Sequence, residues 1–451
     1  MPREREWLTY AKWSEKYGDL VYLSLLGQHF MIVDTYEVAH DLLNKRSAIY
    51  STRPHLTMAG ELVGLNLGLL SAPLSSRFNE IRKLLHKGYS QASIRDFWPV
   101  FEHDSQVMSM QLLSKDLDFA DTIRQYVGTV IYKTTYGYSP QGRDDPKLRW
   151  VQKSMHVLSE VTRAGGIWLV DVIPFLRYLP QWLPLMGFKR QATAWRGIIM
   201  EGVVDDYKWA TDHQNAPSTI KPNFISSVLS DGSSSVALSS YATDVISWAA
   251  ASMVGGGSEA TAGNLLSFIL AMALFPDVQN RAREEIQGVV GKGIMPTLSD
   301  RKNLPFVDCI FREVLRWNGS GPLGFHMSRQ SDRYRDYVIP KGTIMVTNMW
   351  SMLHNPVVFP EPLAFKPERF LNDEAACERF GSVIWGFGRR VCPGSHFAEA
   401  SLFIAIATML ATCVFSDPVD PNGVPVPVDV EYESGIVSLP KLFTCKITPV
   451  A

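Results

Sequence analysis

Trp385-Gly386-Phe387-Gly388-Arg389-Arg390-Val391-Cys392-Pro393-Gly394, followed by an apolar stretch from about Ser395 to Cys413, is the segment on which the fold turns. Two glycines one residue apart permit a tight backbone that something else can approach closely. Pro393 suits the first position of a helix, where its missing N–H removes a donor that would have no partner anyway. That placement puts Cys392 at the cap, where free N–H groups and the positive end of the helix dipole favour a thiolate. Arg389 and Arg390 add positive charge nearby. An isolated cysteine is usually a buried apolar residue; the ten-residue context here favours a reactive or ligating one.

Composition narrows the rest. The 451 residues are 46% apolar and carry a formal charge of −1, which suits a packed globular protein and gives no support to a general nucleic-acid binder. Length alone permits two or three domains or one large helical fold. Five cysteines, an odd count at long spacing and without a CxxC pair, make neither a disulfide scaffold nor a structural zinc site. HExxH, GxxxxGK[ST] and GxSxG are all absent, and the one GxGxxG match, Gly319–Gly324, follows the Glu313–Trp317 run instead of joining a strand to a helix, so metalloprotease, phosphate-loop, hydrolase-elbow and dinucleotide readings lack their signatures. A redox enzyme with no nicotinamide or flavin fingerprint takes its electrons from a partner.

Along the chain, Leu20–Leu25 and His29–Val33 flank Gly27-Gln28 and predict a hairpin. Stretches 36–47, 78–92 and 118–137 predict helices. The stretch 213–240, with Pro217, Pro222 and Asp231-Gly232, is the clearest seam and predicts loop with one short helix. An apolar run over 241–275 then predicts a helix roughly 50 Å long through the middle of the protein, and Pro276-Asp277 opens another over 277–290. Tyr334–Ile339 and Thr343–Asn348 predict a second hairpin around Pro340-Lys341-Gly342. The expected class is mainly α with small β-sheets, one fold over 1–451, with a long central helix. Met1–Trp7 is charged and aromatic, unlike a signal peptide or membrane anchor. The apolar run Leu402–Phe415 is too short to span a bilayer.

Three further segments stand out. Glu313-Val314-Leu315-Arg316 sets opposite charges at i and i+3 in an apolar setting. Pro367-Glu368-Arg369-Phe370 follows. The long helix carries Gly255-Gly256-Gly257-Ser258-Glu259-Ala260-Thr261, and three glycines in a helix interior cost about 1 kcal/mol each relative to alanine, a loss that a groove for a bound ligand would offset.

These segments together resemble the cytochrome P450 superfamily. Cys392, Gly388, Arg390 and Gly394 match the haem-binding signature FxxGxRxCxG, with Trp385 where the family usually has Phe. The resemblance implies haem b with Cys392 as the thiolate ligand of the iron, a role in which electron donation favours O–O cleavage. It also implies a buried charge network of Glu313, Arg316 and Arg369, and an acid–alcohol pair on the long helix beside the oxygen-binding site. Glu259 matches the acid, Ala260 falls on the usual threonine, and Thr261 matches the next position, turned about 100° around the helix. Arg82 matches the second arginine of W-R-x-x-R, although Phe78 and Asn79 replace the first two residues. Arg82, Arg390 and His326 are the implied propionate contacts. The other four cysteines are bystanders in this reading.

Trp7–Ala11, Tyr17–Asp19 and Leu43–Ser51 are similar to fungal, basidiomycete-like microsomal members, which implies a location on the cytoplasmic face of the endoplasmic reticulum membrane for a form with an N-terminal anchor, and a soluble protein for the chain without one. The resemblance implies a monooxygenase of secondary metabolism or xenobiotic oxidation, fed by NADPH-cytochrome P450 reductase and by cytochrome b5, acting on a lipophilic terpenoid, steroid or aromatic. Lys83 and Lys87 are candidates for docking the reductase. The pocket is expected to draw on the loop before Phe78, Met253 and its neighbours, Gly321–Phe325 and Ser434–Val437. Two alternatives stay open on Ala260 and the other departures: an isomerase or dehydratase working without oxygen, and an impaired haem-binding relic.

Overall fold

The computed structural model describes residues 2, 4–114, 118–162, 168–230, 239–417 and 430–450. Its axis is the helix Ser240–Leu274, 35 residues long. The Ser239 side chain accepts the N–H of Ala242 (3.2 Å) at its start, and Pro276 opens the next helix, Pro276–Val289, where it ends. Apolar residues point to every side of the central helix and most from Val245 to Ala273 are buried. The helices Ser76–Gly88, Phe119–Tyr136, Gly187–Asp212 and Ser395–Thr412 pack around it. The three glycines stay inside this helix. A Cβ on Gly257 would lie 3.0 Å from Ile131 Cδ1, so that glycine lets Phe119–Tyr136 come close, whereas Gly256 faces open space.

The sheets are small. Strands β1 (Leu20–Leu25) and β2 (Gln28–Val33) form the expected hairpin, turning through Leu26 and Gly27 at positive φ. Later in the chain come β3 (Leu323–Met327), β4 (Asp332–Tyr334), β5 (Tyr337–Ile339) and β6 (Ile344–Asn348). The second expected hairpin is corrected here. β5 pairs back onto β4, with Tyr334 opposite Tyr337, while β6 joins the first sheet, parallel to β2 and antiparallel to β3, in the order β1-β2-β6-β3. Gly342 does reverse the chain at φ +84°, but its N–H goes to Ser328 O (2.8 Å) instead of closing a β5–β6 ladder. β7 (Cys413–Ser416) and β8 (Lys446–Pro449) form a third, separate pair.

The expected helix over 36–47 is broken into Tyr36–Ala39, a wider-wound turn His40–Lys45, and Ser47–Tyr50. Such wide turns occur where backbone must be re-aimed, and this one lies against the cysteine loop. In the seam, Phe224–Leu229 is the short helix, capped by Asn223; Asp231-Gly232 lies outside the described residues. Ser395–Thr412 is long and apolar enough to cross a membrane, but 67% of it is buried inside the protein, as befits a core helix.

Candidate active site

A cavity of about 1160 Å³ opens between the central helix, the cysteine loop and the first sheet. Cys392, Trp385 to Phe387, Pro393 and Gly394 form one wall; Met253, Gly255–Gly257, Ala260, Thr261 and Asn264 of the central helix form another.

The cysteine loop is held by backbone bonds. Cys392 N–H donates to Trp385 O (2.8 Å) and Gly386 N–H to Val383 O (2.9 Å). Gly388 has φ +55°, and a Cβ there would lie 2.0 Å from the Leu43 carbonyl oxygen, so no side chain fits. Its N–H donates to Asn44 Oδ1 (2.6 Å), which ties the loop to the wide turn His40–Lys45. Gly394 is itself the helix cap, which leaves Cys392 two residues outside the first turn and Pro393 outside the helix. The expected push toward thiolate survives in the Gly394 N–H and the Arg82 charge, but burial outweighs it and raises the Cys392 thiol pKa. Arg389 faces solvent.

Three arginines that have no carboxylate partner line the same cavity, Arg53, Arg82 and Arg390, together with His326. Arg390 lies 3.9 Å above the Phe78 ring and donates to the carbonyls of Ser51 (2.7 Å), Leu69 (3.2 Å) and Ala72 (2.6 Å). Burial, then Arg53 and Arg82, push its pKa down to about 9. Arg82 donates to Val391 O (2.8 Å) beside the cysteine. His326, on β3, shares its Nδ1 with Tyr50 O (3.1 Å); burial and the neighbouring Arg53 and Arg390 hold it well below the ordinary histidine range, so it is neutral. Arg53 was not singled out from the sequence. It donates to Leu70 O (2.9 Å) and to the Phe325 carbonyl, and burial pushes its pKa down to about 10.

Glu313, Arg316 and Arg369 come together as a buried cluster. Arg316 makes a two-point pair with Glu313 (2.7 and 2.9 Å), and Arg369 Nε donates to Glu313 Oε1 (3.2 Å). The Lys366 N–H adds a further bond to the same carboxylate (2.8 Å), and the carbonyls of Leu353 and Pro362 take the rest of Arg316. Glu368 turns outward to pair with Arg281 (2.8 Å).

The acid–alcohol segment divides. Ala260 and Thr261 line the large cavity, but Glu259 does not; it lines a smaller polar pocket of about 290 Å³ on the outer flank of the helix, with Arg124, Arg143 and Arg149. Burial raises its pKa, with Arg124 opposing and Glu433 reinforcing.

The expected pocket segments are present in part: Pro73, Met253, Gly321–Phe325, Ile436 and Val437 line the cavity, Ser434 and Gly435 do not. Trp150, Ser154, Met155 and Leu158 of the helix Pro146–Val161, and Ile199 and Val203 of Gly187–Asp212, also line it. They carry no motif and give no signal in the sequence beyond apolar spacing.

A haem group can be tested against this lining. Among the described residues, Asp171 is the one carboxylate in this lining and it accepts the Met58 N–H (2.8 Å), so Arg53, Arg82 and Arg390 have no ion-pair partner there; their side chains donate to backbone carbonyls. Buried charge without counter-charge is costly. A porphyrin brings two carboxylates to meet such cations and an apolar ring to meet the remaining walls, and Cys392 offers the soft sulfur donor that iron accepts. The residues fit the group.

The comparisons with known proteins agree. The family model described as Cytochrome P450 matches residues 3–446. Cytochrome P450 monooxygenase 105 of Postia placenta is 35% identical over 452 residues, covering 100% of this chain and 86% of the relative. Cytochrome P450 monooxygenase claR of Ampulloclitocybe clavipes is 34% identical, covering 100% and 83%. A zebra fish cytochrome P450 structure with progesterone superposes at a TM-score of 0.81 with 22% identity, over 100% of both chains, a likeness of fold. With the match running from residue 3 through the cysteine loop to residue 446, the chain belongs to the cytochrome P450 family, haem b enzymes that act as haem-thiolate monooxygenases.

Proposed function

We propose that this monooxygenase acts on a lipophilic terpenoid, steroid or aromatic, with Cys392 as the iron's thiolate ligand and Arg53, Arg82, Arg390 and His326 holding the propionates. The observation that carries the reading is one cavity of about 1160 Å³, largely apolar, whose lining brings a single cysteine together with three arginines that have no carboxylate partner among the described residues. Bound there, haem b supplies the oxygen-activating chemistry: one oxygen atom of O2 enters the substrate, the other leaves as water, and two electrons and two protons are consumed. The protein's part is positional. The loop bonds to Trp385 O and Asn44 aim the sulfur, the cations orient the ring, and Trp150, Met155, Leu158 and Ile436 exclude water and hold an apolar substrate.

The electrons come from a redox partner. NADPH-cytochrome P450 reductase, with cytochrome b5 as an accessory donor, is the proposed one. Lys83 follows Arg82, which touches Val391 of the cysteine loop, and Lys83, Lys87 and Arg389 are all exposed, so this face offers an acidic partner a basic surface close to the sulfur. The proposed location is the cytoplasmic face of the endoplasmic reticulum membrane. The test is spectroscopic and catalytic. Reduced protein with carbon monoxide should show the red-shifted Soret band of thiolate ligation, absent in Cys392→Ala. Product formation from a substrate library should require both oxygen and reductase; product formed without either would overturn the reading.

A further inference from the structure

We propose that Asn264 and Ser320 together take the place of the alcohol missing at residue 260 by holding a hydroxyl, from water or from substrate, beside the central helix. This rests on the monooxygenase reading above. Ser320 lies in the loop between the helix Pro305–Trp317 and β3. Its Oγ is 2.6 Å from Asn264 Oδ1 and 3.0 Å from the carbonyl oxygen of Ala260. Asn264 is one turn beyond Ala260 on the same helix, and Ala260, Thr261, Asn264 and Ser320 all line the large cavity.

A serine hydroxyl has one proton and cannot donate to two acceptors at once. The carboxamide's oxygen and nitrogen are exchanged by a half-turn that scarcely changes its shape. With that half-turn, Asn264 Nδ2 donates to Ser320 Oγ, Ser320 donates to Ala260 O, and every group in the chain has a partner. One carboxamide N–H and the oxygen then remain, and both belong to a side chain that is buried from bulk water yet opens on the cavity. Buried amide groups find partners, and among the described residues no other side chain bonds Asn264. Its free end therefore presents a donor and an acceptor to whatever occupies the space above Ala260.

The pair is fixed in place. Ser438 N–H donates to Ser320 O (2.9 Å), the neighbouring Asn318 donates to Ser267 Oγ (2.9 Å), and a Cβ on Gly263 would lie 2.6 Å from Leu439 Cδ2 and 3.7 Å from Ser320 Oγ. The loops press on the helix here with no slack. The competing explanation is that Ser320 only staples the loop to the helix.

The two explanations separate in the haem-loaded enzyme with a reductase, by measuring hydrogen peroxide released per NADPH oxidised with menthol or menthane as the probe. Asn264→Leu and Ser320→Ala should each raise that ratio about fivefold, the effect of one lost hydrogen bond of about 1 kcal/mol. In an Ala260→Thr background neither should raise it, because the restored alcohol does the same work. A rise with both probes identifies water as the source of the hydroxyl, and a rise with menthol alone identifies the substrate. Equal rises in both backgrounds, no rise at all, or a native enzyme that already returns nearly all its electrons as peroxide overturns the proposal. Thermal unfolding of the haem-free variants gives the second readout: a staple predicts that peroxide yield follows lost stability and not the identity of residue 260. An enzyme that oxidises no NADPH with any partner would fail at the monooxygenase reading itself, and the proposal would fall with it.

Discussion

Arg53 and Glu259 are opposite cases of a buried charge. Arg53 sits beside Arg390 and His326 and, among the described residues, bonds only the Leu70 and Phe325 carbonyls, while it depresses the pKa of both neighbours. An anion in the cavity relieves all three at once. Arg53→Gln keeps a donor for one carbonyl and removes the charge. It should leave the haem-free protein's denaturant midpoint nearly unchanged and weaken haem retention about tenfold, as expected for a charge-assisted hydrogen bond of roughly 1.5–3 kcal/mol. Haem transfer to apomyoglobin measures the loss, and an equal loss of apoprotein stability would make Arg53 a structural residue instead. Glu259 has its pKa raised above the ordinary 4.5, chiefly by burial. A carboxyl that holds its proton more tightly when folded adds stability below pH 4.5, and that stability is lost as pH rises through the raised value. Glu259→Gln should therefore be more stable than the native protein at pH 8, with the difference vanishing under acid conditions. Melting curves against pH check the sign.

At the scale of elements, the Glu313 cluster joins the helix Pro305–Trp317 to the segment around Pro367–Phe370. Both arginines and the Lys366 N–H depend on one carboxylate. Glu313→Gln would leave two buried guanidinium groups without a counter-charge and should cost roughly 3–5 kcal/mol. Glu368→Gln, two residues from Lys366 but paired with Arg281 in solvent, should change stability by less than about 0.5 kcal/mol. Denaturant titration of the two variants compares them directly. The contrast also marks what was legible in the sequence. The central helix could be read to within a residue, because its apolar run and Pro276 are local signals. The cysteine loop and the Glu313 pair were legible for the same reason. Strand pairing was not: Gly342 signals a turn, but whether β6 joins β5 or β2 is decided by the Ile344–Asn348 side chains meeting a strand more than three hundred residues earlier. Asn44 and Arg53 were missed as site residues because each acquires its role only when the chain closes on itself, Asn44 across 344 residues and Arg53 across 272. The separation of Glu259 from Ala260 likewise depends on which helices flank the central one.

Over the whole molecule, one surface is unlike the rest. Phe175, Tyr178, Trp182 and Leu185 are 65%, 67%, 80% and 84% exposed within a single stretch of the chain. Large apolar side chains gathered in this way mark an interaction surface more often than scattered ones do. The stretch adjoins the cavity entrance. Pro174–Tyr178 packs on Thr57–Leu62, where Arg177 pairs with Glu61, and the Asp171 carboxylate accepts the Met58 N–H (2.8 Å). Leu26, Val172 and Phe325 are both exposed and part of the cavity lining, so apolar surface runs from the patch into the cavity. A lipophilic substrate dissolved in a bilayer could follow it without crossing water. Trp182→Ser combined with Leu185→Ser should therefore weaken binding of the protein to phosphatidylcholine vesicles at least about tenfold, since burying either side chain is worth roughly 1.5–3 kcal/mol. Val357→Ser, at a residue 89% exposed but outside this stretch, should leave vesicle binding unchanged. Flotation with each variant decides the matter, and binding that is indifferent to Trp182 and Leu185 would mean that the patch serves some contact other than a membrane.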